Sequence, residues 1–156
     1  MQRLQLAAFL AGIVCASFIG AAASAEHRIK RSDLPAPVRR AIDKESAAGR
    51  VRGFATETDK GEVYYEAKLI VGGHSKDLLF DRNGAVVEVE EDVPLDALPE
   101  AVRLGLVAQA GKAKITRVES LIKQGRLIGY EAQLKTGAKR SEIQVSPVGQ
   151  PLGDAQ

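Results

Sequence analysis

Reactive groups are scarce in this chain: one cysteine, two histidines and no glycine-rich loop of the kind that cradles phosphate. The cysteine, Cys15, sits inside an apolar N-terminal run. Once that run is removed no thiol is left, which excludes disulfides, thiolate-bound metal and a cysteine nucleophile. A hydrolytic nucleophile needs a base within hydrogen-bond reach and a third group to orient that base. His27 stands alone, and His74 beside Ser75 reads as a solvated glycine turn, because neighbouring residues point in different directions. No basic stripe stands clear of the acids, which weighs against nucleic acid, since 22 basic side chains are interleaved with 20 acidic ones. A length of 156 residues leaves no room for a large cofactor-binding enzyme, and the composition is neither collagen-like nor disordered nor that of a multi-pass membrane protein. The expectation is a non-enzymatic protein with no cofactor and no dedicated metal site.

The N-terminus carries an address. Arg3 precedes an uncharged run from Leu6 to Ile19, and Ala23-Ser24-Ala25 closes it with the small side chains a signal peptidase accepts, so residues 1–25 read as a signal peptide cleaved before Glu26. The run is shorter than the ~20 residues that span a bilayer. No second apolar segment follows, which predicts a periplasmic or secreted protein with no stable membrane span after cleavage.

The remainder reads itself twice. Tyr65-Glu66-Ala67-Lys68-Leu69 returns 65 residues later as Tyr130-Glu131-Ala132-Gln133-Leu134, Gly84 meets Gly149 at the same shift, and Leu34-Pro35 with Val38 matches Leu98-Pro99 with Val102. Each copy opens with a helix: Pro35 and Pro99 suit the first turn, Asp33 and Asp96 lie near its positive end, and Val38, Ala41, Ile42 and Val102, Gly105, Leu106 form apolar stripes. Gly49 and Gly111 are expected to end these helices. Alternating segments follow, at 51–58, 62–71, 76–81 and 85–91 in the first copy and at 114–123, 126–136 and 139–145 in the second, with turn residues between them. The fold class is therefore α+β, as tandem repeats over 26–92 and 93–156. Each lays a helix on an antiparallel meander, and the helices share one sheet face.

Period-two alternation puts Val63, Tyr65, Ala67, Leu69 and Val71, with Ile128, Tyr130, Ala132 and Leu134, beneath the helices. Tyr64, Glu66, Lys68, Glu131, Gln133 and Lys135 then face outward as candidate partner contacts, with the tyrosine as anchor and the charges selecting orientation. On the second helix Leu104 and Val107 replace Arg40 and Asp43 of the first. This extra apolar stripe is covered by the interhelix linker or forms a partner or homodimer seam. Glu88, Glu90 and Asp92 alternate along one strand, read as a solvated edge that discourages strand pairing, with Ca²⁺ binding as the functional alternative. His27 to Arg31 reads as a mobile basic tail that could touch anionic lipid.

Leu34-Pro35-x-x-Val38 ahead of a helix, Gly61 ahead of a Tyr-Glu-Ala strand, and Leu79-Phe80-Asp81-x-x-Gly84 ahead of Val87-Glu88 together resemble the PepSY-like family, including its tandem proteins likened to the beta-lactamase inhibitory protein. The second copy departs from this pattern, with Ser146, Pro147 and Val148 where the first has Asp81, Arg82 and Asn83. The resemblance implies a secreted or periplasmic location, a helix-on-sheet repeat and non-enzymatic action on peptidases or other envelope proteins or peptides. The beta-lactamase inhibitory protein is disulfide-bonded, so its target is not carried over to a chain without a mature cysteine.

Overall fold

A computed structural model describes residues 27–59 and 61–152; residues 1–25, read above as a signal peptide, and Cys15 among them lie outside the described residues. Eight strands, β1 (His27–Ile29), β2 (Arg50–Asp59), β3 (Glu62–Val71), β4 (His74–Phe80), β5 (Val86–Asp92), β6 (Lys114–Lys123), β7 (Arg126–Thr136) and β8 (Lys139–Val145), form one antiparallel sheet in chain order. Helix α1 (Ala36–Glu45) enters between β1 and β2, and α2 (Glu100–Ala110) between β5 and β6.

The two apolar stripes decide where the helices lie. Val38 and Ile42 of α1 are buried against Ala67, Leu69, Leu78 and Phe80, while Val102 and Leu106 of α2 are buried against Val118, Ala132, Leu134 and Val145. Ala67, Leu78, Val89 and Ile122 make one cross-strand row, and Val118 and Ser120 share the Ile122 face of β6. Both helices therefore cover the same side of the sheet, as the alternation predicts. Full burial of one such aliphatic side chain contributes about 1.5–3 kcal/mol, so each stripe anchors its helix without needing a capping side chain.

Corresponding positions of the two halves take corresponding contacts. Gly84 (φ +85°) turns the chain directly beneath the first turn of α1, where a Cβ would stand 2.7 Å from the Pro37 carbonyl oxygen; Gly149 (φ +78°) approaches the Ala101 carbonyl of α2 in the same way. Only glycine combines the left-handed turn with so close an approach.

Three expectations are corrected. Gly111 ends α2, but α1 stops at Glu45, a 3-10 turn covers Ser46–Ala48, and Gly49 is extended. Glycine fits there because a Cβ would meet Val71 Cγ2 at 2.8 Å and the Ile70 carbonyl oxygen at 2.9 Å. The segment after Glu26 is not a free tail: His27, Arg28 and Ile29 pair with Thr56, Ala55 and Phe54, and Arg31 is bound to Asp43 at 2.6 Å. The acidic strand is not an edge either. β5 is paired with β4 on one side and β6 on the other.

Gly84→Ala is expected to cost about 2–3 kcal/mol in urea denaturation, combining left-handed strain with the clash at Pro37. Gly61→Ala, at φ +85° but facing open space, should cost only the backbone part, about 1–2 kcal/mol. Equal losses would show that the helix contact at Gly84 is unimportant.

The helix-free face of the sheet as candidate interaction site

With both helices on one side, the other face is left to the outward residues of all eight strands. The register arranges them in rows. Glu66, Leu79, Glu88 and Lys123 form one; Lys68, Asp77, Glu90 and Leu121 the next; Asp92, Glu119, Glu131 and Gln144 a third. All six outward residues expected on β3 and β7 lie on this face. Tyr64, Glu66, Lys68, Glu131 and Gln133 are half-buried, and Lys135 is exposed. They form two groups rather than one. β4, β5 and β6 intervene, a separation of about 19 Å at normal strand spacing.

Between the groups stands an acidic centre that the outward-residue pattern of β3 and β7 does not reach. Asp77 from β4, Glu90 from β5 and Glu119 from β6 each bring a carboxylate oxygen within 4.8 Å of the others. Glu119 is only 2% exposed, and Leu121 beside it also 2%. Such depth on a face without a helix means that neighbouring side chains of the sheet itself cover these two. The available signal was a carboxylate inside an apolar strand run, at Asp77 before Leu78-Leu79-Phe80 and at Glu119 between Val118 and Ser120-Leu121.

The acidic row of β5 is divided among different partners. Glu88 meets Lys123 Nζ at 3.1 Å. Asp92 accepts from the Ser75 backbone N–H at 3.0 Å and from Arg117 Nε. Arg117 Nη2 also lies 2.8 Å from Glu119 Oε1, an ion pair whose angle does not make a hydrogen bond. Farther across, Gln144 Nε2 donates to Glu131 Oε2 at 2.8 Å.

His74 lines an open cleft of about 310 Å³ with Asp92, Thr116, Arg117 and the 93–95 linker. His74 and Ser75 are consecutive residues of β4, so they direct their side chains to opposite faces and do not form a nucleophile and base. On α2, Leu104 and Val107 remain 56% and 50% exposed; the linker instead sends Val93, Leu95 and Leu98 into the core below, so it does not cover the stripe.

Burial raises the Glu90 carboxyl to about 9, helped by the negative charges of Glu119, Glu88, Glu131 and Asp77. Burial likewise raises Glu119 to about 7, against the pull of Arg117. Both values exceed the 4.5 of the unfolded chain, so the folded state binds more protons across that interval. The stabilising effect of these protons is complete below about 4.5 and is lost as the pH rises through 7 and 9. The melting temperature should therefore fall from pH 5 to pH 9, and Glu90→Gln should flatten the fall and raise the melting point at pH 9. A variant that follows the wild-type curve would show that Glu90 is not the titrating group.

The match to the family model described as beta-lactamase-inhibitor-like, PepSY-like covers residues 63–150, from β3 through the turn after β8. Among solved structures, a periplasmic-type protein from Bacteroides eggerthii, described as such without proof of its location, is 22% identical, with 76% of this chain and 86% of that chain covered and a TM-score of 0.62. A DUF2874 family protein from Bacteroides ovatus is 21% identical, with 76% and 84% covered and a TM-score of 0.59. A BLIP-like protein from Bacteroides fragilis is 19% identical, with 76% and 82% covered and a TM-score of 0.55. These likenesses concern the fold. No curated protein sequence matches the chain. The helix-on-sheet architecture and the family match over more than half of its length agree, and the chain belongs to the beta-lactamase-inhibitor-like, PepSY-like family.

Proposed function

We propose that this chain is a non-enzymatic periplasmic binding module that receives an envelope protein or peptide on the helix-free face of its sheet. The observation that carries this reading is the face itself: eight strands wide, clear of both helices, with half-buried Tyr64 on the same strand as the Glu66–Lys68 ion pair and further charges across the face held by the Glu88–Lys123 and Glu131–Gln144 pairs. Fixed charges around an apolar anchor select a partner's orientation at little entropic cost. The leader-like N-terminus supports export, and the description of the Bacteroides eggerthii structure accords with it. Inhibition of a peptidase is the specific form the family likeness suggests. A homodimer seam along Leu104 and Val107 is a separate contact that uses the opposite side of the molecule.

Capture from periplasmic extract tests this reading when the Tyr64→Ala/Lys68→Ala double variant is run beside wild type. The variant should lose the captured protein while its melting temperature stays within a few degrees, and a Leu104→Ser/Val107→Ser control should retain it. Undiminished capture by the double variant would rule out the face.

A second reading is favoured by the carboxylate cluster. Oxygens within 4.8 Å of one another can share one Ca²⁺, whose ligands sit about 2.3–2.6 Å from the ion. Glu90, the middle member of the β5 row, would then be the shared ligand, and the ion would displace the protons held there. Millimolar Ca²⁺ should raise the melting temperature at pH 8 more than at pH 5, and Glu119→Gln should abolish the shift. An unchanged melting curve with Ca²⁺ removes this reading.

A further inference from the structure

One corner of the sheet is dominated by positive charge. Residues 111–116 and 134–141, which form the start of β6 and the hairpin between β7 and β8, contain Lys112, Lys114, Lys135, Lys139 and Arg140 and no acid. All five are exposed. Lys114 stands directly opposite Lys135, and Lys135 opposite Arg140, so three cations occupy one cross-strand row. Among the described residues none of the five takes part in an ion pair. Of the nearest acids in neighbouring rows, Asp92 and Glu119 hold Arg117, while Glu142, opposite Gln133 and two residues along β8 from Arg140, leaves one exposed acid beside the five bases. Like charges directly opposite one another across strands weaken a sheet. A row of three cations with a single acid in the adjacent row is a local cost that an external anion would relieve.

We propose that this basic tip docks on an anionic lipid bilayer. Four of the five cations are lysines, compact hydrated charges on flexible stems, rather than the rigid arginine forks that read a fixed carboxylate geometry. They sit exposed at strand ends and in turns, so they fit a broad and mobile layer of headgroups better than a shaped acidic peptide. The site does not depend on what the helix-free face receives.

Co-sedimentation of the chain from Glu26 onward with phosphatidylcholine vesicles, with and without phosphatidylglycerol, tests the proposal. Binding is expected only with phosphatidylglycerol, weakening steeply as salt is raised. Lys114→Gln, Lys135→Gln and Arg140→Gln together should lower the affinity about 100-fold, since each base near such a surface contributes roughly equally. Lys114→Arg with Lys135→Arg should retain binding, and the Tyr64→Ala/Lys68→Ala variant should bind vesicles like wild type even if it has lost its protein partner. Salt-insensitive binding, equal binding to both vesicles, or an undiminished triple variant would overturn the proposal. Binding of a hexaglutamate peptide in place of vesicles would overturn it as well, and would assign the tip to an acidic protein segment.

Discussion

The pairing of β5 on both sides is the constraint from which the rest of this molecule follows. It joins the strands around α1 to those around α2, so the two halves share one hydrogen-bonded sheet rather than two small ones. It also carries Glu88, Glu90 and Asp92 into the interior of that sheet. A strand with Val86 and Val89 packed beneath the helices has only one other direction for its carboxylates, and the strands beside it fix what they meet. The partners are correspondingly specific: Lys123 for Glu88, Arg117 and the Ser75 amide for Asp92. Glu90 is buried, with other acids around it, and its raised affinity for a proton follows from that burial first and from its neighbours second.

β1 and β5 hold equivalent places, each ahead of a helix and each paired with the strand that follows it. Their lengths differ because their neighbourhoods do. β1 has three residues and a bare outer side, whereas β5 has seven and ladders on both flanks. The acidic centre thus arises at the one position where an edge-type strand has been enclosed.

Local periodicity made most of the architecture legible. Alternation located the strands, the Val38–Ile42 and Val102–Leu106 stripes located the helices and their common face, and the motifs around Pro35, Gly61 and Gly84 pointed to the family. What local pattern does not carry is which strand lies beside which. A row of glutamates reads the same on an edge as in the middle of a sheet, so the alternation at Glu88, Glu90 and Asp92 gave their face but not their neighbours. Asp77 and Glu119 join Glu90 only through cross-strand register, a relation between residues far apart in sequence. The short β1 strand was hidden for a similar reason: three residues show no period, and pairing with Phe54 to Thr56 rather than propensity orders them. Gly49 shows the reverse case, where a glycine at the expected spacing serves packing against Ile70 and Val71 instead of a helix end.

The same register separates the two charged regions of the helix-free face. From the Lys135 row to the Glu131 row is four residues along β7, about 13 Å, which exceeds the roughly 8 Å over which exposed charges act at physiological salt. The row between them holds Arg117, whose charge is already committed to Asp92 and Glu119 and is therefore withdrawn from the basic tip. The acidic centre is largely buried, with Glu119 held by Arg117 and Glu90 raised in proton affinity by burial; the tip is exposed and always positive. Occupying one leaves the other's charge state almost untouched, so a single sheet face can hold its own end against an anionic surface while its centre stays available to a different ligand.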